Sequence, residues 1–346
     1  MSYFFQHGGV DWPNKSRNSI IGGWKELGRA SLSGGVYDVS SLADKRYYMI
    51  LGDLQLNAGG TAPIDMRINN LSTGTYATRD SVNGGADSTA TSATGIQHGN
   101  FNQTASSDIL LVGYWSNKSA NEKLYQGCST GIQAAGAGTA PNRQEVVGKN
   151  SLTSGVIDRF QISDYSGGGG DYDAGELVVL GWDPTGTHTT NFWTELASIN
   201  ASGASTNLSS GTITAKKYLW VQAWLKNTTS HTTGMTFNND TTTYSYRLSD
   251  NGGADSTQVT QADISLYSAV TTPIFVNMFI INNSATEKLV IGHTISQSTA
   301  GAGTAPNRRE FVGKYDSTAA QITEIDIDSS SGNWDATSII KVWGSD

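Results

Sequence analysis

Two segments of this 346-residue chain are each written twice. Asn-Gly-Gly-Ala-Asp-Ser-Thr at 83–89 returns letter for letter at 251–257, and Gly-Ala-Gly-Thr-Ala-Pro-Asn-Arg at 136–143 returns at 301–308. The first pair lies 168 residues apart and the second 165, so a three-residue change in length falls between the markers. That spacing exceeds the roughly 20–50-residue period of a solenoid or propeller unit and points to duplication of a whole domain with unequal loops.

Shorter matches place the boundaries. Trp24-Lys25-Glu26-Leu27 answers to Trp193-Thr194-Glu195-Leu196, and Lys45-Arg46-Tyr47 to Lys216-Lys217-Tyr218. Glu122-Lys123-Leu124 equals Glu287-Lys288-Leu289, and Val147-Gly148-Lys149 equals Val312-Gly313-Lys314. The copies close with Leu177-Val178-Val179-Leu180 against Ile339-Ile340-Lys341-Val342. The organisation read from these matches is an N-terminal arm at 1–23, repeat 1 at 24–184, a linker at 185–192 and repeat 2 at 193–346. So short a linker implies domains that touch or keep a limited range of orientations.

Strand signals dominate both copies. Tyr218-Leu219-Trp220-Val221-Gln222-Ala223-Trp224-Leu225 is rich in aromatic and branched residues, as is the run at 275–281, and Asn, Thr, Ser and Pro bound both. Near the end of repeat 2, Ile325 and Ile327 share one strand face, with Asp326 and Asp328 on the other. No apolar set recurs at helical spacing over an ordinary helix length. The expected fold is all-β: two tandem antiparallel β-sandwich domains, jelly-roll-like, preceded by a short arm.

Composition narrows the partners. A net charge of −8 and the lack of a basic stripe exclude the phosphate backbone of nucleic acid. No stretch approaches the roughly 18 apolar residues of a spanning helix, so no membrane span is expected. The first residues lack the basic n-region and apolar run of a secretory signal. The single Cys128, whose counterpart is His293, allows no internal disulfide framework, so synthesis in a reducing cytoplasm is expected.

No catalytic, cofactor-binding or metal-ligating set is read, and no enzyme is expected. His7, His98, His188, His231 and His293 occur singly, without metal spacing, and are read as surface or loop residues. Asp164 and Asp171 to Asp173, flanking four glycines, are the best cation candidate; a plain solvated turn is the favoured reading, because the counterpart at 326–333 keeps fewer acids.

The repeated segment supplies a candidate interaction loop: Asn142, Arg143, Asn307 and Arg308. Its arginines are spaced to hold loop carbonyls or a carboxylate such as Glu145 or Glu310. A ligand loop present twice and a backbone shape needed twice leave the same trace; the backbone reading is favoured, because a site needs only one working copy after duplication whereas a fold requirement acts on both. Trp115, Trp220, Trp224 and Trp334 sit in strand-like runs with a core role as the default, whereas Trp182 and Trp343, near the domain ends, are placed at a seam. In the arm, Tyr3, Phe4, Phe5 and Trp12 form a candidate aromatic anchor.

Taken as a set, these motifs resemble something. The opening Trp-x-Glu-Leu, the Lys-Lys/Arg-Tyr strand, Tyr-x-x-Arg before Asn-Gly-Gly, Glu-Lys-Leu, Gly-Ala-Gly-Thr-Ala-Pro-Asn-Arg, Val-Gly-Lys and the closing Val-Trp-Gly are similar to repeated β-domains in structural proteins of tailed bacteriophages, particularly marine ones. The resemblance covers 24–184 and 193–346 and brings no catalytic or binding residues with it. It implies a noncatalytic virion component, a capsid decoration or head-fibre protein, assembled in the host cytoplasm without a cofactor. It also implies other capsid or tail subunits as partners, further copies of itself in a homo-oligomer, and a host-surface glycan as a candidate ligand. A tail-associated receptor binder and a tandem carbohydrate-binding module are the alternatives.

Overall fold

The computed structural model describes residues 23–33, 35–56, 60–61, 64–99, 101–104, 107–164, 172–184, 191–270, 272–297 and 299–346. Tyr3, Phe4, Phe5 and Trp12 of the arm, 165–171 of the glycine-rich loop and 185–190 of the linker lie outside them.

In repeat 1 the strands are β1 (Lys25–Ser31), β2 (Val36–Val39), β3 (Tyr47–Leu56), β4 (Gly60–Thr61), β5 (Ile64–Ile68), β6 (Tyr76–Val82) and β7 (Ser88–Ala93). They continue as β8 (Ile96–His98), β9 (Asn102–Gln103), β10 (Asp108–Ser116), β11 (Lys123–Gly131), β12 (Asn142–Asn150), β13 (Phe160–Asp164) and β14 (Tyr172–Trp182). Repeat 2 opens with β15 (Thr194–Asn200), β16 (Asn207–Ser209), β17 (Tyr218–Leu225), β18 (His231–Phe237), β19 (Tyr244–Asp250) and β20 (Ser256–Gln261). It ends with β21 (Ile264–Val270), β22 (Ile274–Ile281), β23 (Lys288–Ser296), β24 (Asn307–Tyr315), β25 (Ile325–Ser329) and β26 (Ile339–Ser345).

Each repeat is an antiparallel sandwich of an eight-stranded and a four-stranded sheet. The large sheet of repeat 1 runs β1-β14-β3-β10-β11-β12-β6-β7, and that of repeat 2 runs β15-β26-β17-β22-β23-β24-β19-β20. The small sheets run β2-β13-β5-β8 and β16-β25-β18-β21, so the topologies superpose strand for strand; β4 and β9, paired apart, are extra to repeat 1. First strand lies beside last and second beside penultimate, as in a rolled-up hairpin.

Period-two alternation sorts the side chains into three cores. In β17, Leu219, Val221, Ala223 and Leu225 enter the core of repeat 2, while Tyr218 and Trp220 point to the opposite face. In β10, Ile109, Leu111 and Trp115 enter the core of repeat 1, while Leu110 and Val112 point away from it. The away-facing residues of both large sheets form a third buried cluster, so the two large sheets pack face to face with a small sheet outside each. This is why the central strands read as unbroken apolar runs: both faces are covered.

The register of the closing strands corrects the sequence alignment by one residue. Met49 pairs with Leu180 and its equivalent Trp220 pairs with Trp343, so Leu180 corresponds to Trp343 rather than Val342. Trp343 lies in the seam as expected; Trp182 corresponds to Ser345 and sits in an aromatic cluster on repeat 1. His98 and His231, read as surface or loop residues, are 0% and 5% exposed and lie in β8 and β18, each ring packing edge-on against Tyr125 or Trp334.

The repeated letters have local causes. Asn83-Gly84 and Asn251-Gly252 take positive φ at both residues, which fits the hairpin turns of β6–β7 and β19–β20. The Asn83 carboxamide accepts from the Arg143 N–H at 2.9 Å and donates to Asn142 Oδ1 at 2.9 Å. Asn251 does the same with Arg308 and Asn307 at 3.0 and 3.2 Å. The two longest matching segments are therefore hydrogen-bonded to each other in both copies. In Val-Gly-Lys, a Cβ at Gly148 would fall 2.4 Å from Ile96 Cδ1, and one at Gly313 2.6 Å from Ile264 Cδ1, so the glycine lets a small-sheet residue pack onto the large sheet.

Candidate functional site: the cleft between the repeats

The seam brings equivalent strands together. β11 faces β23, and β10 faces β22 and β23, the pattern of an interface in which a patch meets its own counterpart. At its centre Arg143 lies 4% exposed. Its guanidinium reaches Glu145 at 2.9 Å, Asp255 at 2.6 Å and Glu310 at 3.3 Å, the last two from repeat 2. The twin Arg308 reaches Glu310 at 3.1 Å but remains 58% exposed.

One half of the seam is closed. The loop carrying the repeated segment of repeat 1 lies across repeat 2. There the Ala137 N–H donates to Asp316 at 2.9 Å, and the Gly136 N–H donates to Glu287. Its carbonyls accept from the Thr260 N–H at 2.8 Å, Ser245 Oγ at 3.0 Å and Arg247 Nε at 3.0 Å. Beneath it the rings of Trp193, Tyr218, Trp220 and Phe279 are covered by Met49, Leu51, Leu110 and Val112 of repeat 1.

The other half is open. The loop at 301–306, identical in letters, is exposed throughout. The groups of repeat 1 that would receive it pair with each other, Arg79 with Asp87 at 3.1 Å and Lys149 with Glu122 at 2.9 Å, as their counterparts Arg247 with Asp255 and Lys314 with Glu287 do beneath the docked loop. Leu124 and Val147, whose counterparts Leu289 and Val312 are fully buried, stand 57% and 53% exposed. Trp24, Tyr47 and Tyr114, the counterparts of Trp193, Tyr218 and Phe279, are half-buried in a ring cluster with Trp182.

A single cross-strand row separates the two halves. In repeat 1, Val178, Leu51, Val112, Cys128 and Glu145 are successive partners across β14, β3, β10, β11 and β12. The matching row in repeat 2 is Lys341, Gln222, Asn277, His293 and Glu310. Directly paired residues share a face, so an apolar stripe in one copy is a polar stripe in the other. The apolar stripe is buried in the seam, with Val112 and Cys128 also reaching the cleft that Gln222, Asn277, His293 and Glu310 of the polar stripe line.

That cleft has a chamber of about 460 Å³ between Trp24 and Tyr114 on one wall and Gln222, Phe275, Asn277 and His293 on the other. It continues into about 500 Å³ over Glu145 and Glu310. Volumes of this size are ordinary for small-ligand sites, which favour domain interfaces. Asn277 Oδ1 accepts from Trp220 Nε1 at 2.7 Å and from Gln222 Nε2 at 3.1 Å, which orients both amides. The Asn277 amide nitrogen, the Gln222 carbonyl oxygen and the His293 ring have no hydrogen-bond partner among the described residues.

The charges are balanced within the site. Removal from water raises the Glu145 pKa above the ordinary carboxylate value, Arg143 opposing and Glu310 adding to the shift. Removal from water also holds the His293 ring below its ordinary pKa; Glu310 opposes this and the two arginines add to it. Glu145, His293 and Glu310 bring three ligating atoms within 4.8 Å of one another, but both carboxylates are already engaged by arginine. A cation would have to displace those contacts, so the chemistry of the donor set favours an ion-pair network over a metal centre.

Of the residues singled out from sequence, the structure brings Arg143 and Arg308 to this site, and leaves Asn142 and Asn307 pinning hairpin turns. The polar stripe was missed, although the Cys128-to-His293 exchange is one of its members. No protein-family model matches the chain, and no curated protein matches it. Among solved structures it is similar to domains LG4-5 of the mouse laminin alpha1 chain, at 9% identity over 97% of this chain and 93% of that chain. The TM-score is 0.20, and at that value the likeness carries no argument.

Proposed function

We propose that this chain is a noncatalytic virion structural protein of a tailed bacteriophage, displayed on the particle surface as a capsid decoration or head-fibre protein. The observation that carries the reading is the use made of the repeated segments: turns, and contacts that join two sandwiches into one block. That is adhesion rather than chemistry, and the motif set resembles repeated domains of phage structural proteins. On this reading the arm, with Tyr3, Phe4, Phe5 and Trp12, attaches the protein to a capsid or tail subunit, and the block faces solvent.

Electron microscopy of intact particles with a gold-labelled antibody tests the placement. Label on the head is the expected result, and unlabelled particles would sink the virion reading. Removing residues 1–23 should abolish incorporation into particles; undiminished incorporation would overturn the role given to the arm. A second reading, a tail-associated receptor binder, is favoured by the open cleft and predicts label at the tail.

A further inference from the structure

We infer that the open half of the seam is a binding cleft for a neutral glycan. The inference rests on what the cleft presents and holds whether the protein sits on a head, on a tail or on no particle.

The two walls differ in kind. Trp24 and Tyr114 on repeat 1, with Phe275 of repeat 2 at 40% exposure, offer flat apolar surfaces in a site open to water. Gln222, Asn277 and His293 offer amide and imidazole groups between them, with donors and acceptors unpartnered among the described residues. A sugar ring needs both at once, since its C–H face is apolar and its rim is a belt of hydroxyls. Few precisely placed polar groups on an otherwise apolar lining is also the general form of a specific small-ligand site. Protein packing needs something else, and the stripe of repeat 1 shows what: Leu51, Val112, Cys128 and Val178 where repeat 2 has Gln222, Asn277, His293 and Lys341.

Charge sets the class of sugar. Arg79 is paired with Asp87 at 3.1 Å, Arg308 with Glu310 at 3.1 Å and Lys341 with Glu195 at 3.0 Å. With these cations neutralised by carboxylates, the cleft has no unpaired positive group among the described residues for a sialic acid or a sulfate, and a neutral chain fits it better.

The test uses the full chain on an array of neutral oligosaccharides in gluco, galacto, manno and N-acetylhexosamine series, with sialylated and sulfated members as controls. Binding is then titrated by tryptophan emission with the best neutral member. The expected result is retention on at least one neutral series. Asn277→Val with His293→Cys restores the repeat 1 residues and so suits a packed interface; it should weaken binding at least about tenfold, or ~1.4 kcal/mol. Trp24→Ala should weaken it by a similar factor, and circular dichroism of both variants checks the fold. No neutral binding by the wild-type chain would overturn the proposal, as would binding confined to charged members. So would unchanged affinity in the folded double variant, or a change in sedimentation on cleft mutation without any glycan bound. Failure on the array leaves the particle placement untouched, because microscopy reads that separately.

Discussion

Arg143 and Arg308 occupy the same position in identical segments, and the structure gives them unequal energies. Replacing Arg143 by Met keeps most of the apolar stem and removes the charge. Asp255, whose side chain is 2% exposed, then loses its partner at 2.6 Å and keeps only Arg247 at 3.8 Å. Glu310 retains Arg308 at 3.1 Å, and Glu145, 33% exposed, is screened by solvent. Breaking a buried pair costs about 3–5 kcal/mol through the stranded partner. Only Asp255 is both buried and deprived of its close partner, so the lower end applies, about 3 kcal/mol. Arg308→Met removes an ion pair whose cation is 58% exposed, and exposed pairs contribute about 0–1 kcal/mol.

The twins should thus differ by roughly 2 kcal/mol or more when urea unfolding is followed by tryptophan emission, which reports on Trp193, Trp220 and Trp343 in the seam. Arg143→Lys, which keeps the positive charge, should recover part of the penalty on Arg143→Met. Equal losses from the two arginine variants would refute the claim that the seam is closed on one side and open on the other. A loss in Arg143→Lys as large as that in Arg143→Met would refute its electrostatic origin.

Two further titrations run in opposite directions. Burial, with the neighbouring Asp53, pushes Asp108 up to about 6, so the ionised group opposes folding at neutral pH, and its relative stabilisation is lost as pH rises through about 6. Asp108→Asn should therefore stabilise the protein at pH 8 by at most roughly 3 kcal/mol and have no advantage near pH 4; equal effects at both pH values would count against it. His98, fully buried with Tyr125 Oη at 2.6 Å, is held down to about 3 by burial. The unfolded chain takes up that proton first, so this histidine withdraws stability as pH falls from about 6.5 towards 3. Its ring signals in a nuclear magnetic resonance titration should stay those of the neutral form at pH 5, and an ordinary midpoint would show the burial to be wrong.

Much of the fold was legible because the chain carries its own alignment. Two copies that agree in pieces expose boundaries that local propensity would blur, and β17 falls on the run at 218–225 picked out by its aromatic and branched residues. The closing strands slipped by one because Asp173-Ala174 and Asp335-Ala336 align by letter, whereas the ladder to β3 and β17 is broken differently around them. His98 and His231 were misplaced because a lone histidine has no spacing to read, and its burial depends on a ring from a distant strand. The third core escaped notice for a similar reason: a strand apolar on both faces looks the same whether its second cover is its own domain or a neighbour.

The candidate site was legible only as a contrast between copies, and that contrast explains why one loop docks while its twin stays free. A seam built from like faces offers each contact twice, so closing the second half would return the hydrogen bonds that the loop of repeat 1 makes, each about 0.5–1.5 kcal/mol net. Closing it would also seal Gln222, Asn277 and His293 against Trp24 and Tyr114, where the apolar rings offer few partners. Each polar group left unsatisfied there costs about 1–3 kcal/mol, so three such side chains cancel the gain from several loop contacts. The loop at 301–306 therefore stays in solvent although its letters match those of a loop that docks. Its state is decided a few ångströms away by a stripe crossing four strands, in residues that no search for matching segments would select.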